Sequence, residues 1–172
     1  MSCSALTAGF LDLCNDGTGG IEAIYVANGP VQSITESAGV ITAITVNAAA
    51  LTPSDFFEFQ TPRQTSSLTE TTTVSQENAT LFFDQQLTCV FNKMEAAKRD
   101  QLLLMAQATT MVVVCKDGNG KYWSVGIEKG AFLVSASATS GTAYGDRNGY
   151  EIVIGGLEAS PIFEVTSTIV EA

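Results

Sequence analysis

Apolar and polar residues alternate along most of the chain with the period of two that marks a strand, and one segment only follows the helical period. Residues 21–27, 31–35 and 40–46 are strand-like, separated by Asn28, Gly29 and Pro30 and then by Gly39, which predicts a β-meander. Ahead of it, Gly17, Gly19 and Gly20 predict a flexible bend. Residues 47–55 are small and loop-like. In 56–60 Phe57 and Phe59 share one face of a further strand, and Pro62 marks its bend or edge.

Residues 66–77, SSLTETTTVSQE, carry Ser and Thr on both faces and offer only Leu68 and Val74 for burial. Such a strand has β-propensity without a core of its own. Across a turn near 76–79, residues 80–91 place Leu81, Phe83, Gln85, Leu87, Cys89 and Phe91 on one face. The two strands predict a long hairpin, projecting over 61–83, whose polar half leans on something outside the domain; alone in water such an arm is marginal. Its candidate contact residues are Arg63, Leu68, Glu70, Thr72, Val74, Glu77, Thr80 and Phe82.

The helical segment is 93–107. Asn92 stands where a cap is needed and Glu95 three residues on, the spacing of a capping box. Its start is charged, and Leu102, Leu103, Leu104 and Met105 make its second half apolar all round, which predicts that this half is buried. Residues 111–115 form a short apolar strand, 117–120 (DGNG) a hairpin turn, and 121–127 the return strand with Tyr122 and Trp123. A strand over 131–135, a loop over 136–149 and a core strand over 150–154 follow. The pattern predicts a mainly β fold of two packed sheets, sandwich or barrel, with one flanking helix and the hairpin arm. All 172 residues form one domain, with 1–19 a possible N-terminal arm.

Composition sharpens this. A hydrophobic content of 45% supports a sizeable core, while only 15% of residues are charged, leaving a neutral polar surface suited to packing against protein. The net charge is −10, and no Lys or Arg precedes Arg63 although Asp12, Asp16, Glu22, Glu36, Asp55 and Glu58 do. That distribution argues against a groove gripping nucleic acid, which needs clustered cations; the charge could equally serve solubility alone. Residues 1–13 lack the pattern of a signal peptide, and no apolar run approaches the roughly 18 residues of a membrane span, so no membrane partner is expected.

Chemistry is excluded more firmly than it is suggested. The chain has no His, so neither a Ser-His nor a Cys-His nucleophile can be built, and Cys3, Cys14, Cys89 and Cys115 lack zinc-site spacing. No cofactor and no metal is expected. Cys89 and Cys115 lie in apolar strands and read as buried thiols. Cys3 and Cys14 could pair in an oxidising setting, but without an export signal they read as reduced. Gly118, Asn119, Gly120 and Lys121 lack the rest of a phosphate loop and its following helix. Trp123 beside Tyr122 could form a binding platform, although one Trp on an amphipathic strand is more often core.

From Thr69 onward the order of parts resembles the tube-forming (major tail) proteins of tailed bacteriophages. The parts are a long polar hairpin, a strand entering a helix over 87–107, a strand and turn over 111–120, the KYWSVG run at 121–126, and the GDRNGY segment at 145–150 with EASP at 158–161. The likeness covers roughly the last hundred residues; the first part of the chain matches nothing firmly. It implies a non-enzymatic virion protein that assembles into hexameric rings, stacked as a tail tube through which DNA passes. It also implies partners among copies of itself and other tail proteins, a virion-tail location after assembly in the bacterial cytoplasm, and the hairpin as an arm seeking its neighbour. Other virion parts (head-decorating or tail-completion) and a carbohydrate- or protein-binding β-module remain the alternatives.

Overall fold

Two sheets and one helix form the computed structural model, which describes residues 8–10 and 17–171. In chain order the strands are β1 (Ile21–Asn28), β2 (Val31–Ser37), β3 (Val40–Val46), the two-residue β4 (Ala49–Ala50), β5 (Phe57–Gln60), β6 (Ser67–Ser75) and β7 (Thr80–Asn92). After helix α1 (Ala96–Gln107) come β8 (Met111–Asp117), β9 (Tyr122–Val125), β10 (Phe132–Thr139), β11 (Gly149–Glu158) and β12 (Glu164–Val165). The larger sheet runs β2-β3-β12-β9-β8-β1-β5 with β4 added to β3, and the smaller runs β10-β11-β7-β6. The fold is thus mainly β, a sandwich with a flanking helix, as the alternation predicts.

Strands β1 and β8 explain why the larger sheet is the stable centre. Both are apolar on two faces, as the unbroken run Val112, Val113 and Val114 requires. On one side Ile24, Val26, Val113 and Cys115 meet Leu87, Cys89, Ile152 and Ile154 of the smaller sheet, forming the sandwich core. On the other, Tyr25, Val112 and Val114 pack with Ile41, Ile44 and the C-terminal residues Ile169 and Val170, so the larger sheet encloses a second core. Burying a Val, Leu or Ile side chain contributes about 1.5–3 kcal/mol, and these strands supply most such residues.

The helix departs from its sequence signals twice. β7 stays paired through Asn92, which lies opposite Gly149, and Lys93 then turns in the left-handed region at φ 65. Asn92 is therefore a strand end and forms no capping box with Glu95. Glu95 itself takes the N-cap position without a side-chain cap bond, and Lys98 Nζ donates to the carbonyl of Asn92 at 2.7 Å. The second half of α1 is also not buried. Met105 alone of the helix is fully buried, while Leu103 and Leu104 are 50% and 57% exposed. An apolar run that encircles a helix shows that some face packs, but it does not select the face.

The last part of the smaller sheet is longer than its apolar residues suggest. β10 continues through Thr139 and β11 through Glu158, paired from Phe132–Gly155 to Thr139–Gly149. Main-chain hydrogen bonds carry the ladder where small residues such as Ser135, Ser137 and Thr139 leave little to pack. Phe59 tilts against Phe91 with ring centres 6.1 Å apart, whereas Phe57 at the edge stays 61% exposed. Among the described residues no helix is long and apolar enough to cross a membrane. Most of the 1–19 arm, with Cys3 and Cys14, lies outside the described residues.

Candidate assembly surface

The hairpin forms in the expected place and its register is continuous, from Ser67–Thr88 at the base to Ser75–Thr80 beside the turn. Strand alternation gives it two unlike faces. One carries the opposed pairs Leu68–Leu87, Glu70–Gln85, Thr72–Phe83 and Val74–Leu81; the other carries Ser67, Thr69, Thr71 and Thr73 opposite Thr88, Gln86, Asp84 and Phe82.

The first face begins in the core and runs out of it. Leu87 is wholly buried, with Leu68 packed against the same cluster. At the next level Gln85 is a buried pin: its Oε1 accepts from Gly126 N at 3.0 Å, and its Nε2 lies 3.3 Å from Glu70 Oε2. Glu70 Oε2 also accepts from Ile162 N at 2.7 Å. Close by, the buried carboxylate of Glu158 accepts from the backbone N–H groups of Glu128 and Lys129 at 3.1–3.2 Å. Burial pushes the Glu158 carboxyl above its ordinary range, against the pull of those donors. Gly126 makes the turn possible: it has φ 65, and a Cβ there would sit 2.4 Å from Ala131 N. The polar shell thus fixes the hairpin base to the 126–130 turn and to the segment before β12. Past it none of the described residues covers the same face, and Val74 and Leu81 are 65% and 40% exposed.

The smaller sheet ends as a staircase. β10 starts at Phe132, level with Gly155 and Gln86; β11 ends at Glu158, level with Phe83; β7 and β6 continue to Thr80 and Ser75. The distal hairpin is therefore two strands wide. Among the described residues both outer strands of this sheet, β6 and β10, have an unpaired edge. None of its four strands contains a Lys or Arg, while Glu70, Asp84, Glu151 and Glu158 lie on them. Its surface carries Ser and Thr with acidic residues interspersed, Arg147 paired to Glu151 at 2.8 Å, and Phe82, Phe132, Val134 and Leu157 partly exposed among them.

Of the eight residues singled out in the sequence, Thr72, Val74, Glu77, Thr80 and Phe82 are exposed together on the distal hairpin. Leu68 and Glu70 instead anchor its base. Arg63 stands outside the paired strands, in the connection from β5 to β6, where it lines a cleft of about 1170 Å³ with Glu22, Tyr25, Glu58, Lys116 and Glu171. At that cleft Tyr25 donates to Glu171 Oε1 at 2.7 Å and Lys116 Nζ lies 3.1 Å from the same oxygen. Hydrogen bonds from Tyr25, Tyr122 and Lys116 hold the Glu171 carboxyl down at about 2. Sequence reasoning missed Gln85 and Glu158, although a lone Gln among apolar face-mates was the available signal for the first.

Other candidates resolve as structural. Tyr122 is buried, and Trp123 Nε1 donates to Asp117 Oδ2 at 2.9 Å, so the two rings do not form an open platform. Burial would raise the Asp117 carboxyl, but donors from Trp123, Lys121 and Asn119 outweigh it and lower it, which suits a turn residue. Cys89 and Cys115 are buried free thiols; burial pushes Cys115 up to about 12, far from a reactive thiolate. Among the described residues no group of three His, Cys, Asp or Glu is placed to hold a metal ion. No protein-family model matches the chain, and no curated protein matches it either.

Proposed function

We propose that the protein is a non-enzymatic structural subunit of a phage tail tube, assembling with copies of itself into stacked rings around a channel for DNA. The observation that carries the reading is the smaller sheet: its four strands hold no Lys or Arg, both its edges are open among the described residues, and its hairpin runs beyond any cover that those residues give. β10 is antiparallel to β11, β11 to β7 and β7 to β6, so β10 and β6 run in opposite directions. A copy rotated about an axis along the strands would present β6 antiparallel to β10, the pairing that a short hydrogen-bonded edge contact favours. Repeated rotation closes a ring whose inner wall is neutral and acidic. Such a wall does not condense onto phosphate and lets DNA slide. The location that follows is the virion tail, with other tail proteins at its ends.

The alternative of a carbohydrate-binding module loses its main support, because Tyr122 and Trp123 are engaged inside the domain. Negative-stain electron microscopy of the purified chain tests the proposal. Rings or hollow tubes are expected as concentration rises; a monodisperse monomer across salt and concentration overturns it.

A further inference from the structure

The underside of the hairpin tip is a piece of core surface with no second layer among the described residues. Val74 and Leu81 are directly opposed on the face that, nearer the base, carries Leu68 and Leu87 in the sandwich core. Such a pair on a two-stranded ribbon calls for a covering apolar surface. Helix α1 offers one: Leu103 and Leu104 point away from the packed face that buries Met105, and they are at least half exposed.

The two surfaces cannot meet within one chain. Thr80 and Asn92 are the ends of β7, and 13 strand residues place them about 40 Å apart at about 3.3 Å per residue. Helix α1 begins just past the Asn92 end and has 12 residues, about 18 Å. Even folded straight back towards the tip it leaves a gap of about 20 Å. Charge favours the same match between copies. Residues 64–92 hold Glu70, Glu77 and Asp84 and no cation, whereas the helix and its lead-in hold one cation more than they hold acids: Lys98 pairs with Glu95 and Arg99 with Asp100, which leaves the exposed Lys93.

We propose that the tip of one copy, through Val74 and Leu81, docks on the Leu103 and Leu104 face of α1 in a second copy. This rests on the self-assembling reading above and names the partner surface of its arm. The contact joins two different patches, so it is head-to-tail and repeats from copy to copy instead of closing on a pair.

Two double variants test it, each altering only exposed positions and each checked for an unchanged thermal melt. Val74→Ser with Leu81→Ser blinds the tip; Leu103→Gln with Leu104→Gln blinds the helix while keeping good helix formers. By sedimentation velocity each alone is expected to need at least a tenfold higher concentration than the unaltered chain to assemble. An equimolar mixture is expected to form a 1:1 complex, because one variant retains the tip and the other the helix face. If the helix-blind variant assembles at the unaltered concentration, or the mixture stays two monomers, the docking site is wrong while the tail-tube reading stands. If the unaltered chain itself never assembles, both fall.

Discussion

Strand β8 and the distal half of the hairpin are built from similar material, β-branched residues in regular antiparallel pairing, yet they lie at opposite extremes of burial. Val112, Val113 and Val114 are wholly enclosed by two cores, whereas Thr71, Thr72, Thr73 and Val74 are all exposed. The ladder of main-chain hydrogen bonds is common to both. What differs is the presence of a second layer, and in a sheet that layer supplies most of the stabilisation. A ribbon that keeps its pairing without such a layer leaves its apolar side chains in water, and the proposed assembly would cover them.

β7 contains both situations on a single face, which makes the contrast easy to break. Leu87→Ala should destabilise the domain by about 2–5 kcal/mol, as core truncations do, measured by urea unfolding. Next in size is Gln85→Leu. It removes the acceptor of Gly126 N and a partner of Glu70, and the cost expected for such a buried group is about 1–3 kcal/mol. Faster amide exchange in β6 should accompany it, because the pin at the hairpin base is lost.

A smaller effect depends on pH. The Glu171 carboxyl is held at about 2, below its ordinary 4.5, so it favours the folded state above 4.5, and that contribution is lost as pH falls towards 2. Glu158 acts with the opposite sign: its raised carboxyl favours folding in acid, and the contribution is lost as pH rises through its titration. Glu171→Gln should therefore make the acid limb of a plot of stability against pH shallower, leaving the part that comes from Asp117 and the opposed Glu158 trend. An unaltered limb would mean that the latch at Tyr25 and Lys116 does not hold in solution. The smallest change in stability is expected for Leu81→Ala, within about 0.5 kcal/mol, although Leu81 shares its strand and face with Leu87. A loss as large as that of Leu87→Ala would show that the tip is covered within its own chain.

The alternation of residues made the two-sheet fold and the hairpin legible, because period two and turn residues are local signals. What stayed hidden was set by packing between distant segments. The run from Leu102 to Met105 announced an apolar helix end but not which side would face solvent. Ser135, Ser137 and Thr139 looked like loop because their strand is held by backbone pairing to β11 rather than by side chains. Asn92 looked like a helix cap because its pairing with Gly149 lies 57 positions away in sequence. At the assembly surface the exposed tip residues were readable from their lack of a core, but the buried shell of Gln85, Glu70 and Glu158 joins segments far apart in the chain. The absence of cations from all four strands of the smaller sheet emerged only once β10 and β11 were known to lie beside β7.

The central claim is that the distal hairpin serves assembly and not folding. It is tested most directly by replacing residues 74–81 with Asn-Gly, which closes the shortened hairpin on the Thr73–Phe82 pair, and following sedimentation and thermal melting side by side with the unaltered chain. The account predicts a melting temperature within a few degrees of the original and no tubes at any concentration where the unaltered chain forms them. Tubes from the shortened chain, or its failure to fold, would contradict the claim.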